Sequence, residues 1–90
     1  MSFKVFLTED AATDLSDIHE YLAQNESPEK ADYVLGKIES VFIRLKNSPN
    51  RGVYPQELVS IGIRDYREVF FKPYRIIYRV IDKKVYVFLI

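Results

Sequence analysis

The densest polar constellation in the chain is Tyr66-Arg67-Glu68, then Lys72-Pro73-Tyr74-Arg75, then Tyr78-Arg79. Guanidinium groups held on a rigid scaffold bind phosphates or carboxylates bidentately. A cluster of cations with a phenol also supports metal-free RNA cleavage. In that chemistry bases activate the 2′-OH, and cations stabilise the charged pentavalent transition state. Arg67, Lys72, Arg75, Tyr78 and Arg79 are the candidates for it. The structural alternative is pairing of the arginines with Asp65, Glu68 or Asp82 across strands, with the tyrosines packed as ordinary core.

Other chemistries find little support. His19 is the one histidine; it follows Ile18 in a helical pattern beside Glu20, and no nucleophile motif accompanies it. With no cysteine, one histidine and no carboxylate spacing of a calcium loop, no metal site is expected. Gly36, Gly52 and Gly62 are the only glycines, so no phosphate-cradling loop and no nucleotide cofactor is expected.

At 90 residues the chain is expected to be a single domain over 1–90. It is 48% hydrophobic and 14% aromatic, too apolar for a disordered tail. The lack of cysteine excludes a disulfide scaffold and fits the reducing cytoplasm. No apolar run approaches ~18 residues, so no membrane span is expected. Met1-Ser2-Phe3-Lys4 is not read as a signal peptide, because Thr8-Glu9-Asp10 arrives where an apolar stretch is needed. The zero net charge conceals an asymmetry. Residues 1–60 carry six cations against ten carboxylates, net −4, and residues 61–90 carry seven against three, net +4. If these parts form different layers, the basic layer can meet an anionic partner.

The elements that must position these residues are readable from periodicity. Phe3 to Leu7 reads as a strand. Thr8 offers a helix cap with Glu9 and Asp10 behind it, and Ala11, Leu15, Ile18 and Leu22 mark one helical face to about Asn25. Ser27-Pro28-Glu29 restarts a helix, whose stripe is Ala31, Val34, Leu35, Ile38, Val41, Phe42 and Leu45, ending near Asn47. Two helices so closely joined make an antiparallel hairpin. Residues 48–55 read as a loop, and the segment to Gly62 is ambiguous.

Beyond it the period changes to two. Asp65–Phe71, Tyr74–Ile81 and Val85–Ile90 read as strands, with Asp82-Lys83 as a tight turn. In the middle strand Arg75, Ile77, Arg79 and Ile81 share one face and Tyr74, Ile76, Tyr78 and Val80 the other. The last strand is apolar on both faces, which suits a central position. The class is α+β: an N-terminal strand and an antiparallel helical hairpin packed on a mainly antiparallel sheet with three C-terminal strands. The run Val87-Phe88-Leu89-Ile90 closes the chain within an apolar strand, and a partner segment is expected to cover it near Val87 and Leu89.

The run from Tyr66 through Arg67-Glu68 to Tyr74-Arg75-Ile76-Ile77-Tyr78-Arg79-Val80 resembles the core signature of the RelE/ParE toxin superfamily. The upstream Ala11-Ala12-Thr13-Asp14-Leu15 helix and the Asn47-Ser48-Pro49 turn agree, so the resemblance spans essentially the whole chain. It implies the toxin half of a bacterial type II toxin–antitoxin pair, of the kind that stabilises plasmids. The wording is closer to the ParE branch, which implies inhibition of DNA gyrase by protein–protein binding and neutralisation by a cognate antitoxin. Arg67, Arg75, Arg79, Val87 and Leu89 are then the expected target or antitoxin contacts, no catalytic residue is expected, and no direct nucleic-acid binding is expected.

The alternative is a RelE-like ribosome-dependent mRNA endonuclease, with Arg67, Lys72, Arg75, Tyr78 and Arg79 in the catalytic roles. Residues 52–63 hold no Lys or Arg, so the lysine patch of such an enzyme is missing. Members usually continue past the last strand, and the chain is expected to lack that tail. A detoxified domain that keeps only antitoxin binding is the third reading.

Overall fold

The computed structural model describes residues 3–90; Met1 and Ser2, part of the segment read against a signal peptide, lie outside the described residues. Local chemistry sets the first half. Strand β1 (Lys4–Leu7) runs into Thr8, whose hydroxyl accepts from the Ala11 amide at 3.2 Å and opens α1 (Glu9–Asn25). Glu9 and Asp10 complement the helix dipole in its first turn. Ser27 caps α2 (Pro28–Asn47) in the same way, accepting from Lys30 N at 3.0 Å, with Pro28 at the first helical position where its missing N–H costs nothing. Arg44 and Lys46 occupy the last turn, facing the negative end of the dipole.

The ambiguous segment contains a short helix, α3 (Gln56–Val59), closed at Gly62, whose φ of 82° suits a residue without Cβ. Strands β2 (Arg67–Phe71), β3 (Tyr74–Ile81) and β4 (Lys84–Leu89) follow. β2 starts two residues later than expected, because Asp65 and Tyr66 leave the sheet and the Tyr66 ring meets Phe88 edge-on, centroids 5.5 Å apart. The β3–β4 turn works without glycine: Asp82 takes the left-handed conformation, φ 56°, which Asp tolerates better than most residues.

The sheet order is β1-β4-β3-β2, with β1 parallel to β4 and the other pairs antiparallel. β4 is therefore interior to the sheet, as its two apolar faces require. Its register on β3 shifts between Ile77 and Tyr78: Ile77 lies opposite Leu89 and Tyr78 opposite Val87. A bulge of this kind re-aims neighbouring side chains.

The helical hairpin covers one face of the sheet. Ala11, Leu22, Ala31, Val34, Ile38, Val41, Phe42 and Leu45 bury against Ile76, Tyr78, Val85 and Val87. Leu15, Ile18 and Leu35 are half-buried at its margin. The other face carries Phe6 stacked on Tyr86, centroids 5.6 Å apart, and is partly roofed by α3 and Tyr66.

Candidate functional site

The arginines that look like one cluster in sequence serve two places. Arg67, at the start of β2, donates from Nη1 to the carbonyls of Gly52 at 2.9 Å and Asn50 at 3.4 Å, and from Nη2 to the Tyr54 hydroxyl at 3.0 Å. Its guanidinium also lies 4.5 Å from the Tyr54 ring centroid. Tyr78, wholly buried on β3, works on the same loop from beneath. Its hydroxyl donates to Pro49 O at 2.7 Å and accepts from Gly52 N at 2.9 Å. Burial pushes its pKa above the ordinary tyrosine value, with the Gly52 amide and the charges of Arg67 and Arg51 pulling the other way.

Gly52 is needed there. A Cβ would stand 2.6 Å from the Tyr78 hydroxyl oxygen and 2.8 Å from Glu68 O. The next residue, Val53, exchanges both backbone hydrogen bonds with Glu68, so the loop runs along the outer edge of β2.

Arg75 stands apart from Arg67. Its Nη2 pairs with Glu57 Oε2 at 2.7 Å, and its Nε pairs with Glu68 Oε1, which is nearly buried. Glu57 comes from α3, so the ambiguous stretch supplies a partner that residue type alone did not indicate. The bond to Glu57 raises the Arg75 pKa, with burial opposing and Glu68 adding to the rise; Glu57 is lowered by a backbone hydrogen bond first and by Arg75 second.

Beside this triad, on the sheet face away from the hairpin, lies an open groove of about 540 Å³. Leu58, Tyr66, Ile77, Phe88 and Leu89 make it apolar, with Arg75, Glu57 and Asp10 at its polar points. Arg79 belongs to a second, polar cavity with Arg67, Arg64 and Tyr54; its guanidinium is 5.8 Å from the centroid of Tyr66, which stands between cavity and groove. Lys72 is exposed in the turn between β2 and β3 and lines neither.

Arg67, Arg75 and Arg79 are all half-exposed but face different partners: three N–H donors of Arg67 serve the loop 50–54, and Arg75 pairs with two carboxylates. One expectation needs correcting. Val87 is 0% exposed beneath the hairpin, since it shares a face with Tyr78 and Leu7, and no partner reaches it in this fold. Leu89, 49% exposed beyond the bulge, is open to a partner. Glu57, Leu58 and Tyr66 were missed as groove residues. Proline and glycine punctuation hid α3, and Tyr66 reads by alternation as a strand residue.

A strand, a helical hairpin and a mixed sheet of this order are shared with two solved toxin–antitoxin structures. One is a chromosomal ParDE system from P. aeruginosa, at TM-score 0.77 and 20% identity, covering 98% of this chain and 92% of that one. The other is the RelBE2 toxin–antitoxin complex from Mycobacterium tuberculosis, at TM-score 0.68 and 19% identity, covering 97% and 93%. At those identities the likeness establishes the RelE/ParE-like fold alone. A search of curated proteins by sequence finds no match. The family is given by residues 5–90, which match the family described as ParE toxin of type II toxin-antitoxin system, parDE. The chain belongs to that ParE toxin family.

Proposed function

We propose that this ParE-family toxin acts in the cytoplasm by protein–protein binding, with DNA gyrase as its target, and that a cognate antitoxin neutralises it. The state of the arginine and tyrosine side chains carries the preference for binding over RNA cleavage. Tyr78 is buried with its hydroxyl engaged on both sides, Arg75 is neutralised by Glu57 and Glu68, and Arg67 holds the loop 50–54 through three of its five N–H donors. A cation clamp for a pentavalent phosphorane needs its charges uncompensated. Arg75 fails that requirement, and the buried Tyr78 hydroxyl lies out of a substrate's reach.

The antitoxin site in this reading is the groove between α3 and β4. Leu58, Ile77, Phe88 and Leu89 offer apolar anchor points at one end of the sheet, and an amphipathic or extended segment fits such a groove. Apolar anchors dominate the affinity, while the charges of Asp10, Glu57 and Arg75 at its margin set on-rate and salt dependence.

The discriminating experiment compares supercoiling by gyrase with ribosome-dependent mRNA cleavage, both with purified toxin. Inhibition of supercoiling without cleavage is the expected result. Cleavage abolished by Arg75→Ala, with gyrase unaffected, replaces this reading with the RelE-like endonuclease. Antitoxin binding with neither activity leaves a detoxified binding domain.

A further inference from the structure

The cavity at the open end of β2 and β3 differs from the groove in every chemical respect. It measures about 250 Å³, and its walls are polar: Arg64, Arg67, Arg79, Tyr54, Asn50 and Asp65. We propose that this cavity is a phosphate-binding site, formed by three guanidinium groups and the Tyr54 hydroxyl. The proposal goes beyond the antitoxin and gyrase reading and does not depend on it.

Charge argues for an anion. Three arginines face one carboxylate, Asp65, and neither Arg64 nor Arg79 has an acidic ion-pair partner among the described residues. Elsewhere on the sheet the fold neutralises its arginine: Arg75 has two carboxylates. Arg79 instead rests near the Tyr66 ring, a contact that fixes a guanidinium without cancelling its charge.

Donor geometry argues for preorganisation. A guanidinium carries five N–H donors. In Arg67, Nη1 serves Gly52 O and Asn50 O, and one Nη2 hydrogen serves Tyr54. Its Nε–H and second Nη2–H remain for a ligand, on a group already immobilised by the loop. The Tyr54 hydroxyl accepts from Arg67 and keeps its own proton to donate.

Phosphate fits this set better than a carboxylate. One arginine fork satisfies a carboxylate, whereas a phosphate presents three oxygens and up to two charges to several donors at once. The volume is ample for one such group. Inorganic phosphate, a nucleoside monophosphate and a strand of nucleic acid all present this chemistry.

The test is a titration of the full chain followed by backbone amide NMR shifts, at constant ionic strength maintained with chloride. The expected result is saturable binding of inorganic phosphate, with shifts centred on residues 50–54, 64–67 and 79. Arg79→Gln should weaken it about tenfold, the loss of one charged contact. Arg64→Gln, in an exposed loop where folding is not at stake, should weaken it as well, while Arg44→Gln on α2 leaves it unchanged.

Parallel titrations with a nucleoside 5′-monophosphate, and with single-stranded oligonucleotides with and without a 5′-phosphate, identify the source. A requirement for the 5′-phosphate indicates a terminal group, and indifference to it an internal backbone phosphate. The proposal is overturned by non-saturating shifts that vanish with added chloride. Equal weakening by Arg44→Gln overturns it too, as does tighter binding of a short glutamate peptide than of any phosphate, which makes the cavity a carboxylate site.

Discussion

Tyr78 and Gly52 are a matched pair. The tyrosine needs a backbone amide that no side chain shields, and the loop needs a buried hydroxyl to satisfy Pro49 O and Gly52 N. Tyr78→Phe keeps the ring but leaves both backbone groups unpartnered, a cost of roughly 1–3 kcal/mol in chemical denaturation. Gly52→Ala should destabilise by a similar ~1–3 kcal/mol, since the Tyr78 hydroxyl and the Glu68 backbone must move.

The pH dependence has a definite sign. The fold favours the neutral phenol, so the stabilisation from Tyr78 is complete below the ordinary pKa of 10.0 and is lost as pH rises through the higher folded value. Wild type should therefore lose stability above about pH 10, and Tyr78→Phe should lose less over the same range. Spectrophotometric titration of the phenol alongside denaturation midpoints checks both. At Glu68 the argument is different. Arg75→Ala strands a nearly buried carboxylate and should cost roughly 1–3 kcal/mol, whereas Glu57→Gln at an exposed partner should leave the midpoint unchanged. Activity tests with Arg75→Ala need that stability control.

At the scale of elements, the helical hairpin supplies the core and Thr8 supplies the hinge to the sheet. Thr8 caps α1, its amide donates to Val87 O at 2.9 Å, and its hydroxyl donates to Phe88 O at 3.3 Å. One residue thus ties helix start to central strand. Thr8→Ala should cost about 1–2 kcal/mol, at the upper end for a cap because a tertiary bond is lost as well. Ile38, with no exposed surface in the middle of α2, is a larger determinant. Ile38→Ala should cost roughly 2–5 kcal/mol, enough to unfold much of a domain this small. Urea midpoints for the two variants rank the effects. The edge strand β2 is protected by the bridge from Val53, which occupies the amide and carbonyl of Glu68 that another chain would otherwise use.

At the scale of the molecule, the two sheet faces divide the work: one is core and the other carries the groove, while the polar cavity lies at the open end of β2 and β3, where Arg67 comes from the core side and Arg79 from the groove side. Leu89→Asp places a charge in the groove at a half-exposed position without touching the core, so the protein should fold and lose antitoxin binding by a hundredfold or more, on the order of 3 kcal/mol. Val87→Asp, at the neighbouring inward position, should instead unfold it, because a charge would replace a wholly buried methyl pair. Circular dichroism with a binding titration separates the two. Raising salt should weaken antitoxin binding only modestly, since the groove is mainly apolar and screening acts on its rim.

Sequence by itself determined the two helices almost to the residue, because caps at Thr8 and Ser27 and the stripe from Ala31 to Leu45 are local signals with a fixed period. It also determined β3 from Tyr74 to Ile81, the central place of β4 and the α+β class, since alternation and two-sided apolarity state what must be buried. Tertiary structure alone decided which arginine stays uncompensated. Arg67 finds Asn50 and Gly52 far upstream, and Arg75 finds Glu57 on a helix with no periodic signature. It alone decided that Val87 lies inside and Leu89 partly outside. Period two puts both on one face, and the bulge opposite Ile77 and Tyr78 is what lets them differ. The physical reason is one of range. Helix caps and periodicity act within a few residues, whereas a long side chain chooses its partner among whatever loops the packed sheet brings within its reach.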